Sequence, residues 1–215
     1  MVRPLLITDC DEVLLHMVRH FGNWVGERHD MDFTVASPEI FSSLRRRATG
    51  ERPSAEEAWG LLHGFFPHEM HRQTLVPHAA EALAAIAAQA DVVVLTNLQD
   101  ECRAPRVAQL ERFGIRHRVE CNQGGKGDPV ARLVAEHGHP VTVFVDDLPV
   151  HHESVARHAP EVHRLHMVSE PELAPHIPPA PHAHARIDDW RDATRWIIGR
   201  FTAGLPATGL THAEA

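Results

Sequence analysis

The sequence is poor in cysteine, in positive charge and in long apolar runs. Its three cysteines, Cys10, Cys102 and Cys121, form no C-x-x-C pair, which argues against a disulfide framework and thiolate-bound zinc and indicates a reducing compartment. Lysine and arginine total 21 against 29 acidic residues, a formal charge of -8, so nucleic acid is not an expected partner. No apolar run suits a signal peptide or a membrane span, so we expect a cytoplasmic protein without membrane contact.

What is present indicates one α/β domain with a modest insertion. The 215 residues are 43% hydrophobic, enough for a sizeable core. Aliphatic and β-branched runs predict buried parallel strands, and helical patterns lie between and after them. The predicted strands are 5–8, 92–96, 116–120, 141–145 and 162–168, and the predicted helices are 78–89, 105–113, 128–137, 149–158 and 188–201. This alternation predicts a Rossmann-like, doubly wound parallel sheet, in which ligands bind beyond the carboxyl ends of the strands.

The first two strands are too far apart in sequence for a simple βαβ unit, which needs only about 30 residues. Amphipathic stretches at 16–27 and 54–66 predict a helical cap in the gap. Ser54 and Glu57 resemble a capping box at the start of the second helix. The predicted division is 1–15 and 76–202 for the catalytic core, 16–75 for the cap and 203–215 for a flexible tail. Residues 45–53 are expected to be an exposed loop, and 175–184 an irregular surface segment.

Reactive groups follow three of the predicted strands. Asp9 and Asp11 come after the first strand, Thr96 ends the second, and Asp146 and Asp147 follow the strand at 141–145. Lys126 adds a cation in a Gly-Gly-Lys-Gly turn, where the glycines allow the backbone to approach a ligand closely. These side chains are therefore expected to form one pocket at the edge of the sheet.

The charge balance of that pocket predicts a metal ion. Four carboxylates close together cannot all stay ionised without a cation. Lys126 and a divalent ion would leave roughly one negative charge to meet a phosphate, which favours metal-assisted phosphoryl chemistry. Oxygen ligands select Mg²⁺ over zinc.

Four motifs, in order, resemble those of the haloacid dehalogenase superfamily. They are Asp9-Cys10-Asp11-Glu12-Val13, Leu95-Thr96-Asn97, Lys126 and Val145-Asp146-Asp147. The resemblance spans residues 5–147 and implies a Rossmann-like core with a small helical cap. The sequence departs from the commonest family pattern at Glu12-Val13, where Gly-Thr or Gly-Val is more usual.

The resemblance implies a role for each motif residue. Asp9 would be the nucleophile that forms an aspartyl-phosphate, and Asp11 the general acid and then the general base. Thr96 and backbone amides near Asn97 would bind the phosphoryl group, and Lys126 would neutralise charge. Mg²⁺ would be held by Asp9, the backbone carbonyl of Asp11, and Asp146. For Asp147, direct ligation, ligation through water and pairing with Lys126 all remain open.

The predicted activity is a magnesium-dependent phosphomonoesterase acting on a small phosphorylated metabolite. Other chemistry on the same nucleophile remains an alternative: phosphotransfer, phosphonate cleavage or dehalogenation, although dehalogenases of this type typically lack the second aspartate. A non-catalytic phosphate- or metal-sensing module is a further alternative, because response-regulator receivers also combine acids, a Thr and a Lys, in a different motif order. The oligomeric state is left open.

Several other residues are interpreted as structural. His151 and His152 are expected on the surface near the site mouth. Trp24 and Trp59 are assigned to the core of the insertion. His16 and His20 share a helix face at a spacing that metal ligands use, but no third ligand is evident. Arg45, Arg46 and Arg47 could reach a substrate anion, although a run of three charges is usually a solvated face.

Overall fold

The central element of the fold is a six-stranded parallel sheet with helices on both faces. The computed structural model describes residues 2–34 and 40–208. In chain order the strands and α-helices are β1 (Leu5–Thr8), β2 (Leu15–His16), α1 (Val18–Arg28), β3 (Met31–Asp32), β4 (Arg45–Arg46), α2 (Ala55–Glu69), β5 (Thr74–Leu75), α3 (Ala79–Ala87), β6 (Asp91–Thr96), α4 (Arg103–Arg112), β7 (Arg118–Cys121), α5 (Gly127–Glu136), β8 (Thr142–Asp146), α6 (Pro149–His158), β9 (His163–His166), β10 (Ala185–Arg186) and α7 (Trp190–Ala203). The predicted α/β, Rossmann-like fold is confirmed.

The sheet has the strand order β10-β9-β8-β1-β6-β7. Successive strand residues point to opposite faces, and both faces are covered, so the central strands are apolar throughout. Leu6 packs in a cluster with α3 and α7, whereas Leu5 and Ile7 pack in a second cluster with α5 and α6. Thr8 pairs with Val94 of β6 and with Val145 of β8. This register brings the residues that follow β1 and β8 to one edge of the sheet.

The cap lies between β2 and β5, which pair antiparallel where the chain leaves and re-enters the core. Its two helices bury an aromatic cluster in which Phe21 and Phe65 meet edge-on, with ring centroids 5.8 Å apart. Trp24 belongs to this cluster, as expected, and is 6% exposed. Trp59, expected in the same core, is instead 51% exposed. Trp59 therefore faces away from the cap core.

Two local expectations for the cap need correction. The segment 45–53 is not entirely loop, because β4 pairs antiparallel with β3. The capping box at α2 is only half formed: the Ser54 hydroxyl accepts the Glu57 backbone N–H at 3.2 Å, but the Glu57 carboxylate accepts hydrogen bonds from the Arg46 guanidinium. This ion pair links the strand pair to the first turn of α2.

The arginine run does not face the sheet edge. Arg45 donates to the carbonyls of Ser42 and Leu44, both at 2.7 Å. Arg47 donates to the Asp32 carboxylate at 2.9 Å. With Arg46 paired to Glu57, all three guanidinium groups are used within the cap. The idea that they reach a substrate anion is therefore wrong for this conformation.

The C-terminal part of the chain adds an edge strand and a final helix. The segment 175–184 contains a short 3-10 turn at Ala174–His176 and no longer element, and β10 follows it. Beyond α7, the Leu205 carbonyl accepts a hydrogen bond from His163 Nε2 at 2.9 Å. Residues 209–215 of the predicted flexible tail lie outside the described residues. Among the helices that the structure describes, none combines the length and hydropathy that a membrane-spanning segment requires.

Candidate active site

Asp9 lies directly beyond β1, in the middle of the sheet edge. Its backbone N–H donates to the Val145 carbonyl at 2.8 Å, which continues the β1–β8 ladder. Its side chain faces a cavity and is 9% exposed. Lys126 Nζ lies 2.7 Å from Asp9 Oδ1 and 2.7 Å from Asp146 Oδ2. A buried cation therefore bridges the two carboxylates that follow β1 and β8.

Lys126 is the only lysine in the chain, and its side chain is fully buried. Burial by itself would lower the pKa of Lys126, but the adjacent Asp146 and Asp9 carboxylates outweigh it and raise that pKa. The ammonium therefore stays charged. Gly125 and Gly127, on either side of Lys126, lie close to Ser154 of α6. A Cβ on Gly127 would lie 2.4 Å from the Ser154 carbonyl oxygen. The glycines of the turn thus allow the lysine to enter the core.

The two carboxylates bridged by Lys126 differ in proton affinity. Burial raises the pKa of Asp9 to about 7, despite the opposing effect of Lys126. Asp146 is also buried, but Lys126, followed by His151 and His152, more than compensates, and the pKa of Asp146 is lowered. Asp146 Oδ1 also accepts the Leu148 backbone N–H at 2.9 Å. Asp146 therefore stays ionised, whereas the ionised form of Asp9 is stabilised less.

Asp9, Asp146 and Asp147 can hold a cation together, because each offers a carboxylate oxygen and these atoms lie within 4.8 Å of one another. Burial, together with the charges of Asp146 and Asp9, raises the pKa of Asp147 well above its usual range. Lys126 supplies one positive charge to this group and forms its ion pairs with Asp9 and Asp146. Three carboxylates with one ammonium lack positive charge, and oxygen donors of this kind suit Mg²⁺. The residues present therefore fit the predicted ion.

Asp11 faces a different partner from the other three acids. Arg106 Nη2 donates to both carboxylate oxygens of Asp11 at 2.9 Å, and Gln73 Nε2 donates to Oδ1 at 2.7 Å. Arg106 is completely buried in α4, and Gln73 lies in the connection that leads out of the cap. The Asp11 side chain lines the same cavity as Asp9, but it is not among the carboxylates that cluster for a cation. Its predicted contribution to the metal, through the backbone carbonyl, stays a prediction.

Thr96 and Asn97 end β6 beside Asp9. The Thr96 hydroxyl is buried and lacks a hydrogen-bond partner within the described part of the chain, and it lines the cavity. The Asn97 side chain is already engaged: its Nδ2 donates to the Gly124 carbonyl at 2.9 Å, and its Oδ1 accepts from Asn122 at 2.9 Å. Thr96 thus offers an unused hydroxyl to a ligand, and Asn97 holds the lysine turn in place.

Glu12 explains how the chain turns without the usual glycine. It has a left-handed backbone, with φ of 59°, which costs a non-glycine residue about 1–2 kcal/mol. Its buried Oε1 accepts the backbone N–H groups of Met17 and Val18 at 2.7 and 2.6 Å. These two groups begin α1 and would otherwise be unsatisfied. The carboxylate therefore offsets the strain of the turn by capping the first cap helix.

A second acidic cluster lies next to this turn. Glu12, His16 and Glu170 are buried, and their ligand atoms lie within 4.8 Å of one another. His20, predicted to share a helix face with His16, does not belong to this cluster; its Nε2 lies 3.0 Å from Thr74 Oγ1. However, Arg19 donates to both Glu170 oxygens, at 2.6 and 2.8 Å, and Glu12 is used as a cap. The cluster therefore ties α1 to the segment after β9.

The expectation that His151 and His152 are surface residues is wrong. His152 is fully buried, and its Nε2 lies 2.9 Å from the Asp146 carbonyl oxygen. Burial lowers the pKa of His152 to about 4, so the ring is neutral near pH 7 and donates this hydrogen bond. His151 is 5% exposed and lies 3.3 Å from Asn97 Nδ2. The His152 ring therefore packs against the Asp146 backbone, whereas His151 lines the cavity beside Asn97.

The cavity over the acids has a volume of 360 Å³. Its polar floor consists of the acids, Thr96 and Lys126. Its upper wall is formed by Met17 and the α2 residues Trp59, Leu62 and Phe66. Sequence reasoning missed this wall, and it also missed Arg106 and Gln73. The only available signals were helical spacings, which cannot distinguish a core-facing residue from a cavity-facing one.

Comparison with known proteins supports the fold. No family model and no curated protein sequence matches the chain. Solved structures do. A haloacid dehalogenase-like family hydrolase of Streptococcus pneumoniae is 10% identical, with a TM-score of 0.60 over 90% of this chain and 97% of its own. YfnB of Bacillus subtilis, a candidate hydrolase of the same superfamily in a magnesium-bound form, is 10% identical, with a TM-score of 0.63 over 92% of this chain and 99% of its own.

A candidate β-phosphoglucomutase of Thermotoga maritima is 14% identical, with a TM-score of 0.57, and covers 91% of this chain and 99% of its own. The haloacid dehalogenase-like fold expected from the four motifs is therefore confirmed. At these identities the likeness concerns the fold, and the activity has to be argued from the site.

Proposed function

We propose that the protein is a magnesium-dependent phosphomonoesterase that uses Asp9 as its nucleophile. The observation that carries the proposal is the Lys126 ammonium placed 2.7 Å from both Asp9 and Asp146, at the one sheet edge where Asp11 and Thr96 also line the cavity. A nucleophilic carboxylate, a fixed cation and a spare hydroxyl there are the groups that phosphoryl transfer requires.

Each polar residue of the cavity floor has a separate role in the first chemical step. The Asp9 oxygen that is not paired with Lys126 attacks phosphorus, and an O–P bond forms as the bond from phosphorus to the leaving oxygen breaks. Asp11 supplies the proton that the leaving oxygen takes up. Thr96 donates a hydrogen bond to a phosphoryl oxygen, and Lys126 offsets the charge that develops there.

The second step returns the enzyme to its starting state. The oxygen of a water molecule attacks phosphorus, Asp11 accepts the water's proton, and the bond between Asp9 and phosphorus breaks to release inorganic phosphate. Arg106 and Gln73 position the Asp11 side chain at the cavity wall through hydrogen bonds to its oxygens. When bound by Asp9, Asp146 and Asp147, with the Asp11 carbonyl, Mg²⁺ would neutralise charge on the carboxylates and on the phosphoryl oxygens.

Measurement of inorganic phosphate release from a panel of phosphomonoesters tests the proposal, with Mg²⁺ and with EDTA. We expect release that EDTA abolishes, and that Asp9→Asn reduces by roughly 10⁴-fold or more. Asp11→Asn should reduce release by roughly 10² to 10⁴-fold. A panel in which no release depends on both metal and Asp9 would overturn the proposal.

Product assays on the same purified protein distinguish the alternative activities that would use the Asp9 nucleophile. Transfer of phosphate to an added alcohol indicates a phosphotransferase. Chloride release from a 2-haloacid that continues in EDTA indicates a dehalogenase. An aspartyl-phosphate that forms and persists without turnover indicates a sensing module.

A further inference from the structure

The apolar residues of α2 extend from the cap core to the cavity over the acids. Ala58, Leu61 and Phe65 form the buried face, which packs in the core of the cap. One position further along, Trp59, Leu62 and Phe66 repeat the same spacing and line the cavity. Leu62 and Phe66 also pack against the cap core, so the two sets form one broad apolar stripe of α2. The cavity side of this stripe faces the space that a leaving group would occupy.

The sheet domain also contributes apolar side chains to the site, on the side of the cavity that faces α2. The large hydrophobic residues exposed in the described part of the chain are Val2, Trp59, Leu148, Val150 and Leu205. Trp59, Leu148 and Val150 all line one adjoining cavity of 470 Å³. This second cavity shares Trp59, Leu62, Phe66, Asn97, Leu148 and His151 with the cavity over the acids. Solvent-exposed apolar area is thus concentrated where the two cavities join.

Cations are scarce at the same place. Among the residues that line the two cavities, the permanently charged cation is Lys126, which Asp9 and Asp146 already engage. Arg106 is paired with Asp11, and among the described residues no arginine lines either cavity. A second phosphate on the substrate would therefore meet the carboxylates without a guanidinium or ammonium group to compensate it.

From these observations we infer that the leaving group is an apolar alcohol, aromatic or bulky aliphatic, that carries no second phosphate. The inference rests on the proposed phosphomonoesterase function. The reacting phosphate sits over Asp9, and the organic group lies between the α2 stripe and the rim formed by Leu148 and Val150. Cavities of 360 and 470 Å³ are in the range that binds small organic ligands. Side chains that could bind sugar hydroxyls, His63, Gln99 and Gln123, line the second cavity but not the cavity over the acids.

The test uses phosphates of primary alcohols, so that the leaving oxygens have similar intrinsic reactivity. Benzyl phosphate and cyclohexylmethyl phosphate represent apolar leaving groups. Glucose 6-phosphate represents a polyol, and fructose 1,6-bisphosphate carries a second phosphate. We expect kcat/KM for the two apolar esters to exceed that for glucose 6-phosphate by roughly 30-fold or more, with the bisphosphate poorest.

Substitutions at Trp59 test whether the upper wall of the cavity causes the preference for apolar esters. Trp59→Ala should lower kcat/KM for benzyl phosphate by roughly ten-fold and lower that for methyl phosphate less, while Trp59→Phe should restore most of the loss. Trp196→Ala is the matched control, because it removes an indole from α7, which lines neither cavity. It should leave both values unchanged.

Calorimetric binding of the non-hydrolysable phosphonates keeps this inference separate from the proposed function. Benzylphosphonate should bind at least roughly ten-fold more tightly than the phosphonate analogue of glucose 6-phosphate. Turnover of all esters without an apolar preference would overturn the inference and leave the phosphatase proposal standing. Preferential phosphonate binding without any turnover would support the inference about the pocket and overturn the proposed activity.

Discussion

The floor and the upper wall of the active-site cavity are held in place by different forces. On the floor, Asp9, Asp146 and Lys126 form buried ion pairs, and each carboxylate depends on a specific cation. On the wall, Trp59 is a half-exposed apolar side chain of a cap helix, and Leu62 lines the cavity while also packing against the cap core. Ion pairs inside a protein require both partners, whereas an exposed apolar residue can be lost at little cost. Mutations should therefore separate the two regions by their effect on stability.

The largest expected effect follows from removing the cation of the floor. Lys126→Met would leave Asp9 and Asp146 buried without their partner, which typically costs about 3–5 kcal/mol of unfolding free energy. Phosphatase activity should fall below detection. Urea denaturation in EDTA measures the first effect and phosphate release the second. An active Lys126→Met protein of wild-type stability would contradict the role assigned to the bridge.

A pH-dependent effect should arise from His152, whose ring packs against the Asp146 backbone. Burial lowers the pKa of His152 to about 4, so between pH 6.5 and 4 the unfolded chain binds a proton that the folded chain does not. This contribution therefore lowers stability as the pH falls through that window, by up to about 3 kcal/mol. Asp9 and Glu12, whose pKa values are raised to about 7, act in the opposite direction.

The comparison that isolates the histidine is between wild type and His152→Gln. The stability of the wild type relative to the variant should decrease steadily from pH 7.5 to pH 4, measured by urea denaturation in EDTA at each pH. A constant difference would mean that His152 does not titrate as its burial implies.

A smaller effect is expected where the floor meets the cap connection. Arg106→Met removes the two hydrogen bonds to Asp11 at 2.9 Å and two weaker ones to the Gln73 and Gln109 side-chain oxygens at 3.2 and 3.1 Å. Hydrogen bonds to charged groups contribute about 1.5–3 kcal/mol, and Asp11 keeps its bond from Gln73. We expect a loss of that size in unfolding free energy. Because Asp11 would be less well positioned, kcat should fall more than KM rises, and an unchanged kcat would contradict this role.

The smallest effect on stability is expected for the upper wall of the cavity, and two residues of α2 allow a direct comparison. Trp59→Ala removes a side chain that is 51% exposed and should change the unfolding free energy by about 1 kcal/mol or less. Phe65→Ala, on the buried face of the same helix, should cost about 3–5 kcal/mol. Equal losses in thermal or urea denaturation would show that the Trp59 face is part of the core.

The sequence allowed the fold to be predicted because the β-branched runs are short, buried on both faces and followed by acids. Asp9, Thr96, Lys126 and Asp146 could be assigned to one sheet edge for the same reason. The partners of Asp11 could not be predicted, because Arg106 lies 95 positions away and nothing local distinguishes a buried arginine from a solvated one.

The errors have similar physical causes. His151 and His152 begin a helix, a position typical of exposed residues. His152 is buried because its ring packs against Phe144 of β8 and His166 of β9. The sequence places Trp59 in the cap core because periodicity identifies an apolar side chain but not the surface that it faces. Glu12 was noted only as a departure from the usual glycine, since its capping bonds to Met17 and Val18 depend on the folded turn.

The single lysine of the chain has a practical consequence. Every other permanently charged side-chain cation is an arginine, so incorporating ¹⁵N-labelled lysine would give one side-chain ammonium resonance in a solution NMR spectrum. That resonance would come from Lys126, between the carboxylates that follow β1 and β8. Titration with Mg²⁺ or inorganic phosphate could then be followed at one atom of the site, without an assigned spectrum or a turnover assay.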